Sequence, residues 1–361
     1  MKKHDGMDRR EFLKLLGAAG VMSSVPILGG STASAAAWPS GPIRAVVGYS
    51  AGGGTDMSTR AMCAAMEGPL KATINVTNMP GAIAGTATNF VLSKPADGYW
   101  LLGTSNYNKF LRPMKISESI PWKDWQWFPI ASAYQCWTVK PDSPIKTFQD
   151  LLNEGKKRPL TISTSGVGGI WHEGDAILAK AAGIKFKYIP YKGGAPAALA
   201  VLQGEVEVGG SGVHEAIEYL VAGKLRVLAF GGEKPMTFRG ISMESVGKWV
   251  PALKPMLPIG GFTTMAMRRD TPLDILKKVY EGTIKAKQDS KFKAIMEKKV
   301  LIPIEIDPMV ADKVAARSES VTAWTFKELG IAKADPAKLG IPKPEDFDKW
   351  WPPKGYKPRL K

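Results

Sequence analysis

Short apolar runs alternate with amphipathic segments over the first third of the chain. Glycine, proline or asparagine bounds each apolar run, which is the pattern of β-strands. The predicted strands are IRAVVGY (43–49), TINVTN (73–78) and YWLLGTS (99–105). Residues 55–70 place methionine and alanine on one face and predict a helix with Thr55 as its N-cap. A second helix is predicted over residues 86–94, after a glycine turn.

A second block of the same kind begins near Pro141. Its predicted strands are LTISTS (160–165), FKYIPY (186–191), VEVGGSG (206–212) and LRVLAFGG (225–232). Its predicted helices cover residues 147–157, 175–183, 195–204 and 214–223, with GVGGIWHEG (166–174) as a loop. Near Pro255 the first pattern returns, with predicted helices over 271–300 and 310–330. Strands that alternate with helices favour the α/β class with two mainly parallel sheets flanked by helices.

Both ends of the chain differ from this pattern. Arg9 and Arg10 precede a weakly apolar stretch and the small-residue run STASAAAW, which predicts a twin-arginine signal peptide over residues 1–37. An uncleaved membrane anchor is the alternative. Because no later apolar run reaches about 18 residues, we expect an exported protein in the periplasm. Residues 336–361 are rich in proline and lysine and predict an irregular tail, held down by Trp350 and Trp351.

Length, composition and charge set further bounds. At about 150 residues per domain, 361 residues predict two domains, and 44% hydrophobic residues support packed cores rather than disorder. The formal charge of +16 favours anionic ligands, although charge alone is better explained by solubility and habitat. We expect no nucleic-acid partner, because the sequence has no module that combines basic and aromatic residues for that purpose.

Two glycine-rich loops stand between a predicted strand and a predicted helix. YSAGGGT (49–55) follows the first strand, and TSGVGGIWH (164–172) has the corresponding place in the second block. In parallel sheets, ligands bind at the carboxyl ends of strands, where free N–H groups at a helix start attract anions. The loops therefore predict a carboxylate or phosphate site, with tight turns of purely structural purpose as the alternative.

Three side chains near these loops have competing interpretations. Asp56 would repel a bound anion, so we expect it to hold the loop and favour the positive end of the helix. His172 either donates to a ligand carboxylate or is satisfied by the backbone. His214 is a weaker candidate for contact with the ligand.

Motifs of catalysis and cofactor binding are not found in the sequence. It contains no G-x-x-x-x-G-K-[ST], no complete G-x-G-x-x-G, no G-x-S-x-G and no H-E-x-x-H. Cys63 and Cys136 do not have the spacing of metal ligands, and we favour two buried free thiols over a disulfide. We therefore expect no catalytic activity, no metal and no cofactor. An enzyme on this scaffold would need catalytic groups at scattered positions.

Five motifs follow one another in a recognisable order. They are VVGYSAGGGTDMSTRAMCAAM (46–66), VTNMPGAIAGTATNFVLSKPADGYWLL (76–102), STSGVGGIWH (163–172), IPYKGGAPAALAVLQGEVEV (189–208) and AGKLRVLA (222–229). This series resembles the solute receptors of tripartite tricarboxylate transporters, also called the Bug family, from about Pro42 to Asp335. The resemblance implies a two-lobed periplasmic binding protein of type II that closes on its ligand like a flytrap. The implied lobes are residues 38–140 plus 256–335, and residues 141–255.

The resemblance also implies the ligand and the residues that bind it. The implied ligand is a small organic carboxylate. The implied partner is the membrane permease, to which the receptor, a monomer, delivers this ligand. A sensory or assembly partner is the alternative. The implied contacts of the first lobe are Tyr49, Ser50, Ala51, Gly53, Gly54 and Thr55, with Ser105 and Asn106 after the third strand. Those of the second lobe are Thr164, Ser165, Gly169, Ile170, His172 and Ser211.

Several positions depart from the family pattern. Gly169 stands where a serine is usual, Trp171 is bulky beside it, and small residues occupy the end of VEVGGSG. Residues 232–258 do not match the usual segment, and residues 336–361 are additional. The departures predict a roomier and more aromatic cleft, suited to an aromatic or longer-chain carboxylate.

Overall fold

Two β-sheets that share one long strand organise the chain. The computed structural model describes residues 38–305 and 307–360, so the predicted export signal lies outside the described residues. The first sheet contains β1 (Ile43–Val47), β2 (Ile74–Asn78), β3 (Trp100–Ser105), the first part of β4 (Trp125–Val139) and β11 (Gly260–Arg268). The second sheet contains β5 (Leu160–Thr164), β6 (Phe186–Pro190), β7 (Val208–Gly212), β8 (Arg226–Phe230) and the end of β4.

The two sheets repeat the same plan. In the first, β1 lies between β2 and β3 with all three parallel, and β11 is antiparallel to both β3 and β4. In the second, β5 lies between the parallel strands β6 and β7, and the end of β4 runs antiparallel to β7 and β8. The predicted α/β class is confirmed. In each sheet, three adjacent strands are parallel, and the strands beside them are antiparallel.

Strands β4 and β11 join the two halves, and neither is among the strands given above from the hydrophobic pattern. Residues 125–134 of β4 pair with β11, whereas residues from Gln135 onward pair with the second sheet. Almost all of β4 is buried, including Trp125, Trp127 and Trp137. A strand buried on both faces has no polar alternation, which is why its sequence gives a weak signal.

Helices cover both sheets, and smaller strands complete the chain. The longer helices are α1 (Gly54–Leu70), α2 (Gly85–Leu92), α4 (Phe148–Lys157), α5 (Ile170–Ala182), α6 (Gly194–Gln203), α7 (Val213–Val221), α8 (Leu273–Gln288), α9 (Ser290–Lys298) and α10 (Pro308–Glu328). The short elements are α3 (Pro121–Asp124), β9 (Met236–Phe238), β10 (Ile241–Met243), β12 (Ile302–Pro303) and α11 (Phe347–Trp350). No helix in the described part of the chain is both long and apolar enough to cross a membrane.

Three predicted helix boundaries were wrong. The N-cap of α1 is Gly53 rather than Thr55, which lies inside the helix and is buried. Helix α5 begins at Ile170, five residues before the predicted start, because burial of its first two turns outweighs the low helix propensity of Gly174. The helix predicted over 271–300 is two helices, and the Asp289 side chain caps the second by accepting from the Phe292 N–H at 2.9 Å.

The C-terminal segment lies against the first sheet's helices and strand ends. Phe347 is fully buried, and the Trp122 ring lies 6.0–6.2 Å from the rings of Trp350, Trp351 and Tyr356. The Arg359 guanidinium donates to the Thr271 carbonyl at 2.7 Å. The two tryptophans are thus packing groups, and the segment is held at several points between Phe347 and Arg359.

Both cysteines are free and buried, as predicted. Cys63 lies on the buried face of α1, and Cys136 lies in β4. Burial raises the pKa of the Cys63 thiol to about 12 and raises that of Cys136 further. Neither thiol therefore has the thiolate character that a reactive cysteine needs.

Candidate ligand-binding cleft

A cleft opens between the carboxyl ends of the two sets of parallel strands. Residues from the predicted set line much of it: Tyr49, Ser50, Gly53, Gly54, Thr55, Ser105, Asn106, Ser165 and Ile170. The remaining lining comes from Ala133, Trp171, Gly193, Gly194, His214, Glu215, Gly261, Phe262 and Thr263. The two glycine-rich loops singled out in the sequence therefore meet at one cavity.

Three helices begin at the cleft without a side-chain cap. Their N-caps are Gly53 for α1, Gly169 for α5 and Gly193 for α6, and no side chain caps any of the three. The first-turn N–H groups of a helix have no partner inside the helix, and they carry the positive end of its dipole. Each of these helix starts is consequently a position that favours an anion. The start of α6 was not predicted as part of the site.

Asp56 holds the first loop in the manner that the sequence predicted. Its carboxylate accepts from the Gly52 N–H at 2.9 Å and pairs with Arg60 at 2.8 Å. The Asn78 amide also donates to it at 2.8 Å. These three partners occupy the carboxylate, and Asp56 is not part of the cleft lining.

Several buried polar atoms of the lining have no hydrogen-bond partner among the described residues. They are the amide nitrogen of Asn106, the hydroxyl of Ser165 and Nδ1 of His214. Buried polar atoms in native proteins are usually paired, so an unpaired group beside a cavity points to a bound molecule or water. Tyr49 is different, since its hydroxyl accepts from Ser105 at 3.0 Å. Burial raises the pKa of Tyr49 to about 12, which keeps it a neutral hydrogen-bonding group.

The other predicted contacts lie close to the cleft but outside its lining. Ala51 is exposed in the first loop, Gly169 serves as the N-cap of α5, and Thr164 and Ser211 are fully buried at the ends of β5 and β7. His172 accepts at Nδ1 from the Gly168 N–H at 2.8 Å. Burial lowers the pKa of His172 to about 4, so the ring is neutral and holds the loop before α5.

A buried carboxyl group that the sequence analysis did not select anchors α5 to β4. Asp175 accepts from Gln135 at 2.7 Å and from the Trp137 indole at 2.9 Å. Complete burial raises the pKa of Asp175 well above its ordinary value. Gln135 also donates to the Trp171 carbonyl at 3.0 Å, which fixes the backbone of a lining residue.

Contacts join the two sides of the cleft. Lys109 pairs with Glu173 of α5 at 2.9 Å, and Thr322 donates to the same carboxylate at 2.6 Å. At the mouth, the Ser50 hydroxyl donates to the Lys192 carbonyl at 2.8 Å. Within residues 38–305 and 307–360, no group of three or more His, Cys, Asp or Glu side chains is placed to hold a metal ion.

Known proteins are similar to this chain in sequence and in fold. A protein from Cupriavidus necator, encoded in the gbd 5′ region, is 29% identical over 339 residues, covering 91% of this chain and all of the relative. The periplasmic binding protein BugD superposes with a TM-score of 0.73 at 22% identity, covering 82% of this chain and all of BugD. An R. palustris protein solved with adipate superposes with a TM-score of 0.74 at 21% identity, covering 82% and 99% of the two chains.

The family assignment rests on the sequence itself. The family described as the tripartite tricarboxylate transporter family receptor (TctC) matches residues 59–324, which is most of the chain. That span includes the start of α5 at Ile170 and begins within α1, after the first glycine-rich loop. The chain therefore belongs to the receptor family of tripartite tricarboxylate transporters, with the α/β fold of a two-lobed periplasmic binding protein.

Proposed function

We propose that this protein is a periplasmic receptor that binds a small organic carboxylate between its lobes and delivers it to a tripartite tricarboxylate-type permease. The proposed lobes are residues 38–140 plus 256–335, and residues 141–255. Binding occurs without turnover. The proposed contacts are the predicted residues, to which Gly194 and His214 of the cleft lining are added.

One observation carries the proposal. Three uncapped helix starts face one cleft, together with unpaired polar atoms of Asn106 and Ser165. Free N–H groups and hydroxyl donors are the groups that recognise a carboxylate without a basic side chain. The R. palustris protein of similar fold was solved with adipate, which is also a carboxylate.

Closure of the lobes follows from the contacts that cross the cleft. The ion pair of Lys109 with Glu173 and the hydrogen bond of Ser50 with Lys192 both join the two sides. We expect these contacts to form as the ligand is enclosed, because each needs the two sides to be close together. Exclusion of water then strengthens the hydrogen bonds to the ligand carboxylate.

The test is calorimetric titration and thermal unfolding of refolded, ligand-free protein with a panel of carboxylates. A ligand that binds only the native state raises the melting temperature, and recovered ligand should be chemically unchanged. If no carboxylate binds, or if the ligand is converted, the proposal is wrong.

Two serine variants test whether the ligand binds in this cleft. Ser165→Ala removes an unpaired hydroxyl of the lining and should weaken binding about tenfold, the usual value of one hydrogen bond. Ser163→Ala removes another buried and unpaired hydroxyl, which lies in β5 and outside the lining. It should leave affinity unchanged, and equal losses in both variants would place the ligand elsewhere.

A further inference from the structure

One carboxylate of the protein itself lies in the cleft. Glu215 is the third residue of α7, and only 5% of its side chain is exposed. Its Oε2 accepts from the Gly212 N–H at 2.9 Å. A Cβ atom at Gly194 would overlap the carboxylate, and one at Gly53 would lie 3.7 Å from Oε1. The carboxylate therefore reaches from its own helix to the starts of α6 and α1.

No lysine or arginine side chain balances this charge within the lining. The only basic side chain of the lining is His214, whose Nε2 lies 3.6 Å from Oε1, beyond hydrogen-bonding distance. Lys109, near the cleft, is already paired with Glu173. Glu215 is thus held by one backbone N–H, by the partial charges of helix starts and by the His214 ring at ion-pair distance. That arrangement leaves an acceptor facing the cavity.

The position of Glu215 divides the cleft into two chemically different ends. The starts of α1 and α6 already face the Glu215 carboxylate. The start of α5 at Ile170 adjoins the unpaired hydroxyl of Ser165. The carboxylate in its first turn, Glu173, lies outside the lining and is paired with Lys109. A ligand carboxylate is stabilised at the α5 end. A second carboxylate beside Glu215 would be repelled, strongly so where water is excluded.

Resting on the proposed function, we infer that the ligand is an aminocarboxylate, with one carboxylate at the α5 start and a cationic amine paired with Glu215. Such a molecule is a zwitterion, so its amine supplies a permanent positive charge beside Glu215. Glu215 then determines specificity by favouring an ammonium group over a second carboxylate at the same position. A dicarboxylate of equal length would be stabilised at the α5 start only, because its second carboxylate would be repelled by Glu215.

The experiment compares ligands that share a carbon skeleton and differ only at one end. Suitable pairs are adipate with 6-aminohexanoate and terephthalate with 4-(aminomethyl)benzoate, titrated calorimetrically into the ligand-free protein. In at least one pair, the aminocarboxylate should bind at least about tenfold more tightly, since an unpaired buried charge is costly. Tighter binding of the dicarboxylate in each pair that binds would overturn the inference.

Glu215→Gln provides the decisive variant. Glutamine keeps an oxygen that can accept from the Gly212 N–H, so the start of α7 retains that bond, and thermal unfolding checks the fold. The preference for the aminocarboxylate should fall by at least about tenfold. Glu244→Gln makes the same change in net charge at a carboxylate that is 45% exposed and paired with Lys248. It should leave the preference unchanged.

The possible outcomes separate this inference from the proposed function. If dicarboxylates or monocarboxylates bind but no aminocarboxylate does, the inference is wrong and the receptor function stands. The inference also fails if Glu215→Gln and Glu244→Gln change the preference equally, because the effect would then be one of net charge. If no carboxylate of any kind binds, the proposed function fails and the inference fails with it.

Discussion

The imidazole of His214 lies directly against the α-carbon of Gly54. A Cβ atom at Gly54 would overlap this ring, so the first residue of α1 and the second residue of α7 meet with no space for a side chain. Residues from opposite sides of the cleft therefore touch at its base. Position 54 requires glycine because the His214 ring leaves no space for a side chain. A special backbone conformation is not the reason, since Gly54 has ordinary helical geometry.

Gly54→Ala should weaken ligand binding at least about tenfold, because His214 must move or the two sides must separate to admit the methyl group. Calorimetric titration measures the loss. Gly68→Ala is the matched control, as Gly68 lies in the same helix with open space around its α-carbon. It should leave affinity unchanged and stabilise the protein by about 0.5–1 kcal/mol. Undiminished affinity in Gly54→Ala would show that this contact is not needed for binding.

Stability should depend on pH through the buried carboxyl of Glu319. Burial raises the pKa of Glu319 to about 7, and the nearby Arg112 opposes this rise. A carboxyl with a raised native pKa binds its proton more tightly in the folded state. Its stabilising contribution is therefore complete below about pH 4.5 and is lost as pH rises through about 7.

Glu319→Gln isolates this contribution. Relative to the variant, the unmodified protein should lose roughly 1–3 kcal/mol of unfolding free energy between pH 4.5 and pH 7.5, measured by denaturant titration. The comparison is needed because His172, with its lowered pKa, changes stability in the opposite direction as pH rises from about 4 to 6.5. A constant difference across this range would contradict the assignment.

The two thiols should not react while the protein is folded. Cys63 and Cys136 are buried, and burial raises the pKa of each. With a thiol-specific chromogenic disulfide at pH 8, the native protein should release almost no chromophore, and the denatured protein should release two equivalents. Failure to release two equivalents after denaturation would indicate a disulfide.

The C-terminal segment should contribute substantially to stability. Phe347 is fully buried against neighbouring aromatic rings, so Phe347→Ala should cost about 3–5 kcal/mol of unfolding free energy. Lys349→Ala, an exposed position in the same short helix, should change it by less than about 0.5 kcal/mol. Equal stability of the two variants would mean that the segment is held weakly. Denaturant unfolding followed by tryptophan fluorescence makes the measurement.

Local features of the chain were predictable because they depend on neighbouring residues. The period of apolar residues placed α1 to within one residue of its start, and the glycine loops marked two of the three helix starts at the cleft. The role of Asp56 followed from its place in the first turn of a helix. The boundary of α5 was misplaced because Trp171, His172 and Asp175 are buried by contacts with distant strands.

The remaining parts of the site left no comparable signal. Glu215 resembles any acidic residue in the first turn of an amphipathic helix, and nothing near it in the sequence places it in a cleft. Gly193 and Gly194 resemble a simple turn. Strands β4 and β11, which bring the two halves together, are buried and therefore lack the alternation that marks a half-exposed strand.

By itself, the sequence determined the α/β class, the family and the two glycine-rich helix starts, because periodicity, propensity and short motifs are properties of adjacent residues. Only the tertiary structure decided which groups share the cleft. His214 meets Gly54, and Glu215 meets Gly194, across long separations in the chain. Such contacts arise because β4 pairs with strands of both sheets, and this pairing brings residues that are distant in the sequence close together in space.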